Sequence, residues 1–410
     1  MKAIVLGFLL AVAGGVQASQ MISPNIPRLS TDTISVPAAG LTISDPIYIY
    51  GKLKIVGEGP LNITGRGRFV VEENAVLEIN GVSIFISGLS EMETADDRTV
   101  VLMNGGELRL QDNTVVVDVV YDQEKSRRLA PWDEAPRFWV VASGMSGRKK
   151  HASIKVKVKN NKFESKNIYS VGAINLSIKT GAAPLNAKNI INMKIGGEVE
   201  GNKFYNFHGV IKFEGGENVL VSDNFLMKNS YFNIAASGNK IAIQDNEIRY
   251  PGNGTTGDGI TVLGIMVDSE ISGNNIYAGS CYGIWINVSH ASNVIIKDNL
   301  IVNGITSAIY VSNGIVESDK DINGIIIDNN VMTGNSGFAI AIQNGRNIEI
   351  TNNNFEGNAP GFPAQIMKSD LAEITVSGNI SAKKLTPEWA EEHALYRHAT
   401  YDDNSVLSLQ

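Results

Sequence analysis

Three side chains able to move protons or hold charge fall within seven residues, in His208-Gly209-Val210-Ile211-Lys212-Phe213-Glu214. If Ile211 and Phe213 point inward on a strand, Lys212 and Glu214 share its outer face. A histidine titrates near neutrality and can accept or donate a proton. A lysine acts as a base only where neighbouring cations or desolvation suppress its charge. Glu214 works against that by stabilising the ammonium, so His208 and Lys212 compete for the role of base. A plain surface ion pair between Lys212 and Glu214 is the bland alternative. Arg249, in Glu247-Ile248-Arg249, offers a planar fork suited to a bidentate grip on a carboxylate. A cation on a carboxylate, a base for the adjacent carbon-bound proton and an acid at the leaving oxygen are what β-elimination of a uronate requires.

A second group of residues suits sugar binding. In Tyr282-Gly283-Ile284-Trp285-Ile286-Asn287, inward isoleucines leave Trp285 and Asn287 outside; Ser307-Ala308-Ile309-Tyr310-Val311 does the same for Tyr310. Aligning the inward isoleucines stacks Lys212, Asn233, Thr261, Trp285 and Tyr310 in one outward column. The Trp285–Tyr310 pair, flanked by Tyr282, is a platform for the apolar face of a pyranose. The competing reading is an aromatic pair covered by a loop. An insertion spanning Tyr121 to His151 carries Arg137, Arg148 and Lys149 among other cations, with Trp132 and Trp139 interleaved. Such a rim would attract an anionic polymer to a chain whose net charge is −7. That overall charge, with an export signal, argues against nucleic acid as the partner.

Other chemistries lack support. The single cysteine, Cys281, excludes an internal disulfide and any multi-cysteine zinc site. The five histidines include no HxH or HxxxH spacing, so no metal site is expected. No Asp-rich cluster specifies calcium, and no cofactor is expected. Asp258 is a lone carboxylate, whereas inverting hydrolysis needs a partner roughly 6.5–9.5 Å away.

The elements that must position these residues repeat along the chain. From about residue 150 an apolar alternation is followed by Asp, Gly or Asn, then Asn, any residue, and Ile, Phe, Val or Leu. The asparagines are Asn161, Asn202, Asn224, Asn246, Asn274, Asn299, Asn329, Asn353 and Asn379, spaced by 41, 22, 22, 28, 25, 30, 24 and 26 residues. A minimum near 22 with variable excess is one solenoid turn plus loop insertions. That length fits three short strands joined by turns but not a strand with a crossover helix. The fold class is therefore all-β: a parallel β-helix of about 10–12 coils. Asparagine at a fixed turn tolerates left-handed geometry and can bond to its equivalent one coil away, so these residues are scaffold. Asn104-Gly105-Gly106-Glu107 is treated as a turn.

The chain opens with Lys2 and an apolar run ending near Val16-Gln17-Ala18, too short to span a bilayer and interrupted by Gly14 and Gly15. Residues 1–18 are expected to be a signal peptide, 19–45 an N-terminal extension or cap, 46–381 the β-helix with the basic insertion 121–151, and 382–410 a C-terminal cap. A short helix over 385–399, starting at Thr386-Pro387-Glu388, is expected to close the last coil.

The repeat resembles the pectin-lyase-like right-handed parallel β-helix superfamily over about 330 residues. Length, signal and early-coil layout look most like exported biofilm-matrix polysaccharide lyases of the rugosity and biofilm structure modulator B type. The resemblance implies an exported, periplasmic or secreted lyase of an acidic bacterial exopolysaccharide, and the side-chain chemistry above then places catalysis at Lys212, His208, Arg249 and Glu214. Substrate binding would then fall to Trp285, Tyr310, Asn233, Asn287, Tyr282, Arg148, Lys149 and Arg137. A monomer without a membrane span is expected. A non-catalytic matrix-binding protein and an inverting glycoside hydrolase are the alternatives. The Asp-Pro-His-Asp of mannuronan epimerases and the paired Asp and Gly-His-Gly of pectin-type glycosidases are absent.

Overall fold

Alternating apolar residues bounded by Asn, Asp and Gly turns dictate short strands, and the chain coils them. The computed structural model describes residues 25–26, 30–89, 97–119, 138–143, 152–167, 171–177, 193–249, 257–277, 281–304, 306–313, 321–358, 365–369, 371–380, 400–401 and 406–409. Among these residues there is no helix. Strands pair in parallel with their equivalents one coil on; the one antiparallel pairing described joins Thr400–Tyr401 to Val406–Leu409. The signal segment, most of the basic insertion and the expected helix over 385–399 lie outside the described residues. Parallel pairing already runs through Thr31–Val36, which matches Lys52–Gly57, so stacking begins inside the segment read as an extension.

The strands form a 24-stranded and an 11-stranded sheet. The smaller, the back sheet, takes one short strand per coil, among them Lys203–Tyr205, Phe225–Met227, Glu247–Arg249 and Asn275–Tyr277. Among the described residues eleven such strands stack, and isolated bridges at Asn354 and Ile380 carry the stacking further. The larger sheet turns a corner within Gly209–Ser222, Phe232–Gln244, Asp258–Ser272 and Ile284–Lys297. Register shifts between Glu214 and Gly216, Ala236 and Gly238, and Gly264 and Ile265 mark that corner. At Gly238 φ is 139° and a Cβ would stand 2.0 Å from the Gly216 carbonyl oxygen, so only glycine fits there. The corner divides the larger sheet into a front face, before it, and a side face, after it.

The interior is a stack of like residues. Ile174, Ile211, Ile234, Ile260, Ile284, Ile309 and Ile340 follow one another in register and are fully buried. Each such side chain contributes about 1.5–3 kcal/mol relative to exposure. Between side face and back sheet runs the asparagine ladder. Asn224 Nδ2 donates to Asn246 Oδ1 at 2.9 Å and to the Val199 carbonyl at 2.8 Å, while its Oδ1 accepts from Asn202 Nδ2 at 3.0 Å. Two details correct the sequence reading. The ladder member in the Asn329 coil is Asn330, which bonds Asn353 at 2.9 Å. The left-handed residue is the one before each ladder asparagine: Asn160, Asp223, Asp245, Asp298, Asn329 and Asn352 all have φ between 52° and 56°. The ladder asparagine itself is spent on hydrogen bonds.

Candidate active site

The front face has a local rule that strict alternation misses: two consecutive residues point inward where each strand starts. Ala173 with Ile174, Val210 with Ile211, Ala308 with Ile309 and Ala339 with Ile340 all lie in the core. Gly259 follows the rule, since a Cβ there would meet the core residue Ile276 at 2.9 Å. Beyond the pair, alternation resumes. The outward column is therefore Asn175, Lys212, Ala235, Thr261, Trp285, Tyr310 and Ala341. Asn233, placed in that column from sequence, is corrected: its position belongs to Ala235. Asn233 belongs to the inward pair and is buried, with Oδ1 accepting from Asn229 Nδ2 at 2.9 Å and Nδ2 donating to the Asp258 carbonyl at 3.1 Å.

At the C-terminal end of this face three rings pack together. Tyr282 stacks on Tyr310 with centroids 4.8 Å apart and meets Trp285 at 5.4 Å. Trp285 Nε1 donates to Ser312 Oγ at 2.8 Å, and Ser312 Oγ donates to Asn287 Oδ1 at 3.2 Å. Asn287 is thus buried beneath the platform as its support, and Ser312 is the link. Burial pushes the Tyr282 hydroxyl up to about 12 and raises that of Tyr310.

Under Tyr282 lies Asp258, which strict alternation from Ile260 would send into the core. The inward pair Gly259–Ile260 instead brings it to the outer side. Its Oδ1 accepts the Tyr282 N–H at 3.2 Å and its Oδ2 accepts from Thr261 Oγ1 at 3.1 Å. The residue is 8% exposed. Burial raises its carboxyl to about 6, against the lowering effect of those two hydrogen bonds. Beside it Cys281 is half-buried; burial raises its thiol as well.

Towards the N-terminal end, His208 stacks on Tyr231 one coil away, centroids 5.3 Å apart, and its Nδ1 lies 2.6 Å from Ser230 Oγ. Lys212 Nζ and Glu214 Oε1 form an ion pair of 2.6 Å on the same strand. Trp139, read as part of a charged rim, is instead 5% exposed and stacks on Phe232 at 6.3 Å. It lies across Gly172, where a Cβ would come within 2.3 Å of the indole.

The front face brings His208, Lys212, Glu214, Tyr282, Trp285, Asn287 and Tyr310 together over five coils. It does not bring Arg249 to them. That residue is on the back sheet, paired with Met227 and Tyr277, its guanidinium bonded to Glu247 and lying over the Phe225 and Tyr277 rings at 5.9 and 5.5 Å. Glu247-Ile248-Arg249 is a back-sheet strand, and the chain crosses to the front face only after it. Arg137, Arg148 and Lys149 lie outside the described residues. Asn104 and Gly105 form a turn, as expected, with Asn104 Oδ1 accepting the Ser153 N–H. Among the described residues no three His, Cys, Asp or Glu are placed to hold a metal ion, and no helix is long and apolar enough to cross a membrane.

The family model described as right handed beta helix region matches residues 189–355. No curated protein matches the chain significantly. Solved structures that coil similarly include the periplasmic alginate epimerase AlgG, 13% identical over 80% of this chain and 77% of that one, with a TM-score of 0.42. The Azotobacter vinelandii mannuronan C-5 epimerase AlgE4 A-module is 13% identical over 82% and 81%, TM-score 0.42. A PL6 alginate lyase in complex with trisaccharide is 13% identical over 92% and 85%, TM-score 0.34. Likeness at this level bears on neither substrate nor reaction. The family model and the coil-by-coil parallel pairing together make the protein a right-handed parallel β-helix.

Proposed function

We propose that the front face between His208 and Tyr310 binds an acidic polysaccharide and cleaves it by β-elimination, in an exported protein acting on a bacterial exopolysaccharide such as a biofilm matrix. One observation carries this reading: an imidazole and an ammonium on one coil share an outer face with a three-ring platform three coils away. His208 is the base. The contact of Nδ1 with Ser230 Oγ at 2.6 Å and the stack on Tyr231 orient its ring on the front face. Lys212, four residues along, sits where a cation can neutralise the uronate carboxylate and acidify the neighbouring carbon. The carbon-bound proton passes to the imidazole, its electron pair forms the carbon–carbon double bond, and the bond to the departing sugar oxygen breaks. That oxygen takes a proton from solvent. Asp258 is a positioning residue that ties the Thr261 coil to Tyr282. Trp285 lies three coils from His208, ~14 Å along the axis, and holds a sugar several subsites from the breaking bond.

Mass spectrometry of digests of alginate, polygalacturonate and uronate-containing exopolysaccharides tests this. Elimination yields products lighter by one water than hydrolysis does, with an unsaturated end. Products carrying the added water would overturn the reading. The 2.6 Å Lys212–Glu214 bond favours a second reading, in which the same face binds polymer without cleaving it. Retention of intact polymer with no new chain ends would then be the outcome.

A further inference from the structure

The back sheet carries a second ordered surface that the proposed reaction does not use. Lys162 and Lys203 face each other directly in register on adjacent strands, as do Glu164 and Tyr205, then Met227 and Arg249, then Arg249 and Tyr277. Lys162 Nζ lies 5.7 Å from the Tyr205 ring centroid, Tyr205 meets Phe225 at 5.9 Å, and Arg249 bridges Phe225 and Tyr277. Rings and cations thus form a continuous stripe of contacts from Lys162 to Tyr277. The stripe crosses five strands and so runs roughly 19 Å along the axis.

Its charge is opposite to that of the protein. On its strands Lys162, Lys203 and Arg249 stand against Glu164 and Glu247, and the flanking turns add exposed Lys166 and Lys228 on one side and Asp223 and Asp245 on the other, a net of +1 on a chain of net charge −7. Lys162 is balanced by Glu164 at 3.1 Å, but among the described residues Lys203 forms no ion pair. Like charges directly opposite on neighbouring strands destabilise a sheet. A polyanion laid along the stripe would neutralise the facing Lys162 and Lys203. Half-exposed Tyr205, Phe225 and Tyr277 add apolar faces at the same spacing as the cations.

We infer that the stripe from Lys162 to Tyr277 is a second, non-catalytic binding surface for an extended anionic polysaccharide. A uronate chain presents apolar C–H faces to the rings and carboxylates to the cations, and its linearity suits a surface that follows the helix axis. The inference rests on the acidic-polysaccharide reading of the front face. Holding one polymer on both faces raises the effective concentration of chain at the front face without a new contact there.

The test uses the full chain and long alginate and polygalacturonate as probes, with affinity electrophoresis for binding and turnover of short oligosaccharides for the front face. Lys203→Gln combined with Lys228→Asn removes two cations from exposed positions; Asn is suited to the left-handed φ of 58° at residue 228. The expected result is binding of the long chains at least ~10-fold weaker, with unchanged thermal unfolding and unchanged turnover of the short substrate. A Tyr205→Ala variant should weaken long-chain binding independently of charge. Long-chain binding equal to wild type in both variants overturns the inference and leaves the front-face reading standing. Wild-type protein that neither retains nor cleaves either polymer overturns both. Tighter retention of single-stranded DNA than of uronate polymer, lost in the same variants, overturns the assignment of the ligand.

Discussion

Replacing Asp258 by Asn isolates the cost of holding a carboxylate beneath Tyr282. The amide keeps both hydrogen bonds: Oδ1 accepts the Tyr282 N–H, and Nδ2 donates to Thr261 Oγ1 in place of the bond the carboxylate accepts. Asn therefore mimics the protonated acid and removes only the charge. Burial pushes the folded carboxyl up to about 6 from an ordinary value of 3.8, so the folded state binds the proton more tightly than the unfolded chain. Below about pH 4 both states are protonated and the group has no effect. Between 3.8 and about 6 the unfolded chain ionises while the folded protein does not, so stability falls as pH rises; above that window the loss is complete. At 1.36 kcal/mol per unit the full loss is about 3 kcal/mol. Urea unfolding of wild type and Asp258→Asn across this range should give nearly equal stability near pH 4. The variant should gain steadily to about 3 kcal/mol near pH 7 and then level. A difference that stays flat with pH would refute the burial argument, and a variant less stable at neutral pH would show that the carboxylate is held by more than these two bonds.

Asn224→Ala should cost about 2–4 kcal/mol in unfolding experiments, because it orphans buried groups on both neighbouring coils at once. Gly172→Ala should destabilise by about 1–3 kcal/mol and change the tryptophan fluorescence, since the added methyl displaces the Trp139 indole. His208→Ala should lower turnover by about 10²-fold or more with polymer binding retained, read by steady-state kinetics. Trp285→Ala should do the reverse, raising KM with kcat nearly unchanged, because a platform several subsites away serves ground and transition states alike.

Most of the scaffold is written locally. Alternating residues such as Val219-Leu220-Val221 and the Asp-Asn pair that follows announce a strand and a turn with no information from elsewhere in the chain. The spacing of those turns then fixes the coil. The front face is harder to read because its strands begin with two inward residues, a feature set by how the loop enters from the back sheet. Without it, Asn233 looks exposed and Asp258 looks buried in the core. With it, the first is an interior hydrogen-bonding residue and the second sits under Tyr282. The glycine at position 259, where a Cβ would meet Ile276, is the signal the sequence offers. Arg249 misled for a related reason: it follows a ladder asparagine closely, which marks the back sheet, and the loop that separates it from the front face has no periodic signature. The pairing of Trp285 with Tyr310 was legible because both follow an isoleucine stacked on its equivalent.

The central claim is that the front face performs elimination with His208 as base. Ultraviolet absorbance of unsaturated uronate, followed continuously during incubation with acidic polysaccharide, tests it most directly. Wild-type protein should give a linear rise that His208→Ala reduces by about 10²-fold or more while Trp285→Ala retains it at saturating polymer. New reducing ends without that absorbance, or an undiminished rise in His208→Ala, would contradict the account.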